Sequence, residues 1–344
     1  MKTPVYPEAA QIATSLKNAR TVVILQADNP DGDSLASALA LEHIMGDLGL
    51  EPYLYCGIDM PAHLKHLPGW DRVNKELPKQ FDVSIIVDTS TDDLFESLKS
   101  SNQRQLIASK PCIVLDHHNV EAGIPYATVI CNHPVVATGE LIYELSKQLQ
   151  WPLNKTAKEM LAASIMSDSL GLTSEGTGAR SIHIIGELVE AGVSLAKLEA
   201  LRRDLMRKSP ELTRYKGELL QRVEYHSDDR IATVTIPWEE IQTYSPIYNP
   251  SVLVMDDMRL TENTDIAIAF KVYKDGKVTG KIRANYGVGI ANSLAQAFGG
   301  GGHKYASGFK VTDGRPFDQV KVECIKTATE LLDKLEQEAT DETA

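Results

Sequence analysis

The first half of the chain alternates continuous apolar runs with helical patterns, and this rhythm limits its fold more than any other feature. The runs TVVIL (21–25), PYLYC (52–56), VSIIV (83–87), CIVL (112–115) and ATVIC (127–131) are of strand length and show no polar alternation. A strand that is apolar on both sides has both sides buried, so the pattern predicts a mainly parallel sheet with helices on each face, a doubly wound α/β domain. The first of these helices is expected from about Ser34 to Leu48, stopped by Gly49.

Helical patterns dominate from Thr138 to about Val223, and the charged pair around LAKLEALRRDLM and PELTRYKGELLQRV, broken at Ser209-Pro210, reads as a connector. This divides the chain into an N-terminal domain over 1–194, a helical linker over 195–222 and a smaller α+β domain over 223–344. In the latter, DIAIAFKVYKDGKVTGKIRAN carries a hairpin signal at Asp275-Gly276. A helix over Ile290 to Phe298, the glycines Gly299 to Gly302, a short strand GFKV and a last helix follow.

With 344 residues, 43% hydrophobic and 24% charged, the composition is that of an ordinary globular protein of two domains. No apolar run approaches the ~20 residues that cross a bilayer, and the polar start is no signal peptide, so a cytoplasmic location without membrane association is expected. Four scattered cysteines offer neither a disulfide framework nor a zinc-thiolate site and are expected in the core. A net charge of −12 argues against a grip on long duplex nucleic acid, which needs a broad basic face.

Ligands of parallel α/β sheets bind beyond the carboxyl ends of the strands, and here those ends are acidic. TVVIL leads to Asp28, Asp31 and Asp33, VSIIV to Asp88, and CIVL to Asp116-His117-His118; the helical run MLAASIM ends at Asp168. Taken singly, each has an ordinary explanation: Asn-Pro-Asp-Gly-Asp is turn chemistry, Asp88 and Asp168 precede residues that cap or turn, and a His-His pair on a loop is commonly solvated. Together they gather at one edge of one sheet, where crowded carboxylates are tolerated if a cation relieves their repulsion. Aspartates with one or two histidines suit Mn²⁺ or Mg²⁺ better than structural zinc. A pair of such ions about 3.5 to 4 Å apart clamps a phosphoryl group and activates water, so phosphoester hydrolysis is the chemistry expected.

The ordered set NPDGDS, VDTS, LDHHN and SDS, followed by GGGGHKYASGF, closely resembles the DHH phosphoesterase family with its DHHA1 domain, over nearly the whole chain. Within it, the length and glycine-histidine motif are most similar to the bacterial nanoRNase (oligoribonuclease) and pAp phosphatase group. The resemblance implies a two-metal hydrolase in which Asp31 binds one ion, Asp33 the other, and Asp88 bridges both. It implies that His117 and Asp168 complete the second site, that Asp116 orients its neighbouring histidine, and that His118 faces the scissile phosphate or leaving group. Two divalent cations are implied, Mn²⁺ ahead of Mg²⁺, with a metal-activated water as nucleophile and no covalent enzyme intermediate. In the second domain, Gly300, Gly301, Gly302 and neighbouring Gly299 would let backbone approach a phosphate or base, and Arg283 and His303 would contact a terminal phosphate. The implied partners are short RNA or small nucleotides such as pAp, with a homodimer allowed.

Two departures from the family pattern stand out. The usual histidine four residues before the first motif aspartate is Ala27, leaving either Asp28 or water as the substitute ligand, or a protein that binds nucleotides without hydrolysing them. After Asp168, Ser169-Leu170-Gly171-Leu172 replaces a more usual Thr-Gly-x-Phe; Ser174, Thr177 and Arg180 beyond it could touch phosphate, and Thr177 could equally cap a helix. Rival readings are a cyclic or linear dinucleotide phosphodiesterase, a single-strand exonuclease and a pyrophosphatase. The exonuclease is poorly served by 6% aromatics and the absence of a basic run. The pyrophosphatase lacks its Arg-Lys pair.

Overall fold

The computed structural model describes residues 4–118 and 123–343, and Asn119, the last residue of LDHHN, lies outside them. The chain forms two compact units that part between Arg207 and Lys208. The first contains α1 (Ala9–Leu16), β1 (Thr21–Gln26), α2 (Gly32–Asp47), β2 (Glu51–Cys56), β3 (Val83–Val87), α3 (Glu96–Ser100), α4 (Arg104–Ala108), β4 (Cys112–Asp116), β5 (Val129–Asn132), α5 (Thr138–Leu149), α6 (Lys155–Asp168), α7 (Ala179–Glu190) and α8 (Leu195–Leu205).

Its five strands lie parallel in the order β2-β1-β3-β4-β5. The reason for the unbroken apolar runs is visible residue by residue. Val22 and Ile24 of β1, Ile85 and Val87 of β3, and Ile113 and Leu115 of β4 enter one buried cluster, with Leu35, Leu39, Leu141 and Leu161 from the helices. The alternate residues Val23, Leu25, Ile86 and Val114 enter a second, with Phe81, Phe95 and Leu98. Each fully buried aliphatic side chain contributes roughly 1.5–3 kcal/mol, so both faces resist polar substitution. The sequence leaves β1 for β2 on one side and returns to β3 on the other, which opens a crevice beyond the carboxyl ends of β1 and β3.

The second unit contains α9 (Pro210–Gln221), β6 (Glu224–His226), β7 (Ile231–Ile236), α10 (Trp238–Tyr244), α11 (Pro250–Arg259), β8 (Ile266–Val272), β9 (Val278–Ala284), α12 (Ala291–Ala297), β10 (Gly301–His303), β11 (Ala306–Val311) and α13 (Phe317–Thr343). Its six strands run β10-β11-β9-β8-β7-β6, antiparallel except for β7 beside β8. The hairpin at Asp275-Gly276 is present, with Gly276 at φ +80. Helices α12 and α13 cover one face of this sheet and α9, α10 and α11 the other.

The stretch 195–222 is helical, and its two helices differ in their packing: α8 has no fully buried residue, whereas α9 buries Leu212, Tyr215 and Leu219 in the second unit's core. All four cysteines are buried and unpaired. Among the described residues, no helix is long and apolar enough to cross a membrane.

Candidate metal centre

The site is built from the turn after β1. Asp31 ends that turn as the N-cap of α2: its carboxylate accepts from the Ser34 amide at 3.0 Å, and Ser34 Oγ accepts from the Asp31 amide at 2.8 Å. This reciprocal cap starts the helix without using up both carboxylate oxygens. One residue into the helix, Asp33 is fully buried, held by the Thr138 amide at 2.7 Å and by the hydroxyls of Ser37 and Ser164.

Asp88 follows β3 directly and takes φ +63, a left-handed conformation that costs a non-glycine residue free energy and concentrates at functional positions. Its Oδ1 accepts from the Thr138 hydroxyl at 3.0 Å. Thr138 therefore ties the Asp33 and Asp88 carboxylates together, one through its amide and one through its hydroxyl. The sequence carries no sign of this role, because Ala137-Thr138 reads only as a helix start.

His117, just past β4, sits among these acids. Its Nδ1 donates to the Val135 carbonyl at 3.1 Å. Its Nε2 lies 3.3 Å from Asp88 Oδ1, 3.3 Å from Asp168 Oδ2 and 3.5 Å from Asp33 Oδ2, yet is buried without a properly directed hydrogen bond to any of them. Asp168 arrives as the final residue of α6. His118 is half exposed, and its Nδ1 bonds Asp116 Oδ1 at 2.8 Å, while Asp116 is fully buried at the end of β4.

The electrostatics follow from burial and crowding. Burial raises the Asp33 carboxyl above the usual carboxylate range, and Asp168 pushes the same way. Burial and then Asp33 drive Asp88 well above it. Burial alone would lower the His117 pKa, but Asp168, Asp88 and Asp33 override it and raise it to about 11. For Asp116, burial is outweighed by hydrogen bonds from His118 and Ser90, which hold the carboxyl below its ordinary value. The Asp116 bond in turn raises the His118 pKa. Three acids thus crowd one imidazole, and their repulsion is what a bound cation would relieve.

Whether a metal fits is tested by the donor atoms themselves. The donor atoms of Asp33, His117 and Asp168, and those of Asp88, His117 and His118, lie within 4.8 Å of one another. With Nδ1 committed to a carbonyl, Nε2 is the atom left to bind, in the manner usual for metal-bound histidine. Carboxylate oxygens with a single imidazole nitrogen suit a hard or borderline divalent ion. The residues present therefore fit such an ion.

The other side of the crevice is different. Ala27 is buried and presents a methyl group where a ligand is expected. Asp28 turns toward α3, where Oδ2 accepts from the Ser97 amide at 2.7 Å, and its other oxygen is buried without a partner. Arg180 lies on α7, with Nε donating to the buried Glu144 at 2.6 Å, so its charge is already partnered. Gly178, not Thr177, caps that helix. In the loop after Asp168, Leu170, Gly171 and Leu172 all have positive φ, a strained run for two leucines, and Leu170 is largely exposed.

On the second unit, Arg283 and His303 are placed on β9 and β10, and His303 is exposed. The glycine run is not a free loop. A Cβ on Gly300 would come within 2.2 Å of the Gly308 carbonyl oxygen, and one on Gly302, at φ +143, within 2.7 Å of the Ala306 oxygen. These two glycines let β10 lie against β11, whereas a Cβ on Gly301 would meet only Asn292 Oδ1, at an ordinary contact distance of 3.9 Å.

Aspartates gathered about a histidine at the switch point of a doubly wound sheet, followed by a mixed-sheet domain, define a metal-dependent phosphoesterase. The chain belongs to the DHH family: residues 21–166 match the DHH family N-terminal domain and residues 249–339 the DHHA1 domain. It is 23% identical over 304 residues to the bifunctional oligoribonuclease and PAP phosphatase NrnA of Bacillus subtilis, spanning 87% of this chain and 92% of that protein. To the Thermus thermophilus protein of the same name it is 24% identical, spanning 88% of each. An exopolyphosphatase-related protein from Bacteroides fragilis shares the fold with a TM-score of 0.78 and 21% identity, over 96% of this chain and 100% of that one.

Proposed function

We propose that the protein hydrolyses short oligoribonucleotides and small nucleotide phosphates such as pAp. The observation that carries this reading is the orphaned His117 Nε2, buried against Asp33, Asp88 and Asp168 at the switch point. The two NrnA relatives, similar over nearly their whole length, support the substrate class.

In this reading Asp33, Asp88, His117 and Asp168 hold one divalent cation, Mn²⁺ ahead of Mg²⁺, and Asp31 with Asp88 holds another. When bound, the ions polarise the phosphoryl group and make water nucleophilic at neutral pH. The Val135 carbonyl fixes the His117 tautomer, and Thr138 fixes the spacing of Asp33 and Asp88. Asp116 holds the Nδ1 side of His118, so that its Nε2 is the atom available to the scissile phosphate or leaving oxygen. Arg283 and His303 hold a substrate phosphate on the second unit, beside the backbone of Gly300, Gly301 and Gly302.

A second reading, nucleotide binding without turnover, is favoured by the methyl of Ala27 and by the engagement of Asp28 with Ser97. Hydrolysis of a 5′-labelled RNA dinucleotide in saturating Mn²⁺ separates the two. Turnover by the wild type that is lost in Asp88→Ala supports the enzyme, and binding without turnover supports the alternative.

A further inference from the structure

On a chain of net charge −12, a sheet face of the second unit that gathers four cations calls for an explanation. Lys281 and Arg283 alternate with buried Gly280 and Ile282 along β9, so both point to the side opposite the α12 and α13 core. Across the strands, Lys271 on β8 and Lys310 on β11 both pair in register with Thr279, two residues before Lys281. These four cations share one face by register. Opposite Lys281 and Arg283 stand Gly308 and Ala306, whose small size keeps that side open.

The result is an open groove of about 510 Å³, lined by Lys271, Lys281 and Lys310 together with Thr279, Gly300 and Tyr273. Among the described residues none of the three lysines has a carboxylate partner within salt-bridge distance; Lys271 reaches only the Ser245 hydroxyl, at 3.5 Å. The carboxylate that Lys281 and Arg283 feel, Asp256, is itself paired with Arg259 at 3.1 Å. Partial burial lowers the pKa of both lysines, helped by Lys281 at Lys271 and by Arg283 at Lys281, a repulsion that an incoming anion would relieve.

We propose that Lys281, flanked by Lys271 and Lys310, forms a second anion subsite that takes the next phosphate of an oligonucleotide whose preceding phosphate lies on Arg283. The inference rests on the proposed role of Arg283 and deepens it. Side chains two apart on a strand are separated by roughly 6.7 Å, comparable to successive phosphates of an extended single strand. The phosphate at Arg283 is then not the last that the protein reads, and the favoured ligand carries two or more phosphates spaced by nucleosides rather than one.

The test is equilibrium binding of 5′-AMP, pApA and pApApA to the full chain in EDTA, where turnover is absent. Wild type is expected to bind more tightly with each added phosphate. Lys281→Gln is expected to weaken pApApA about tenfold and to reduce the salt slope by roughly 0.7, one released counterion on a single strand, while 5′-AMP changes less than twofold. The double variant Lys271→Gln/Lys310→Gln is expected to show the same length-selective loss, and retained 5′-AMP binding shows that each variant is folded. Equal affinity of wild type and both variants for pApApA, or no tightening with length in the wild type, overturns the subsite. Turnover of pApA in Mn²⁺ is scored separately: its absence beside lysine-dependent binding defeats only the phosphoesterase reading, and its presence beside lysine-independent binding defeats only this one.

Discussion

The two sides of the crevice between β1 and β3 are chemically unequal. On the β4 side, Asp33, Asp88, Asp168 and His117 converge, and three of them are braced by neighbours: Asp33 by Ser37, Ser164 and Thr138, Asp88 by Thr138, and His117 by the Val135 carbonyl. On the β1 side, Asp31 stands as a helix cap, Ala27 offers a methyl group, and Asp28 is turned to Ser97. A metal ligand is useful when its neighbours hold it before the ion arrives; the first side offers three ligands held in this way, one of them a nitrogen donor, whereas the second offers only Asp31, held by Ser34. One strong and one weak ion position, with Asp88 common to both, are therefore what the proposed two-ion site is expected to show.

Asp88→Ala removes the common ligand and is expected to have the largest effect, a loss of Mn²⁺-dependent dinucleotide hydrolysis of about 10³-fold or more, the scale of removing a principal electrostatic element. Retained turnover would break the comparison, because neither side could then depend on Asp88. Thr138→Val keeps the amide bond to Asp33 but deletes the hydroxyl on Asp88, and is expected to weaken Mn²⁺ binding about 10- to 100-fold, read by calorimetry. Ala27→His adds the absent nitrogen, and is expected to tighten the weaker ion about tenfold while leaving the stronger one alone, which would sharpen the contrast directly. Asp28→Asn is the smallest: with its carboxylate on Ser97, the change is expected to alter Mn²⁺ affinity less than twofold and to cost about 1 kcal/mol of stability, seen as a lower Tm. A large drop in metal affinity there would mean that Asp28 moves into the weak side after all.

Much of this arrangement was legible in the sequence because it follows from local pattern. Strands with both faces buried must be apolar throughout, so β1, β3 and β4 and their acidic ends could be found by inspection, as could Asp168 at the end of α6. The braces could not. Thr138 meets Asp33 across 105 residues and Ser164 meets it across 131, and no spacing rule reaches so far. The positive φ of Asp88 and the turning of Asp28 to Ser97 depend on packing around the crevice, which strand alternation does not specify once the turn has begun. The glycine run illustrates the converse. Its composition suggests backbone open to a ligand, but Gly300 and Gly302 are occupied in letting β10 meet β11.

The measurement that tests the central claim most directly is a calorimetric Mn²⁺ titration of the metal-free chain, repeated on His117→Ala and Ala27→His. One tight and one weak ion are expected in the wild type, with the tight ion lost in the first variant and the weak ion strengthened in the second. Two ions of equal affinity in the wild type, or a tight ion that survives the loss of His117, would contradict it.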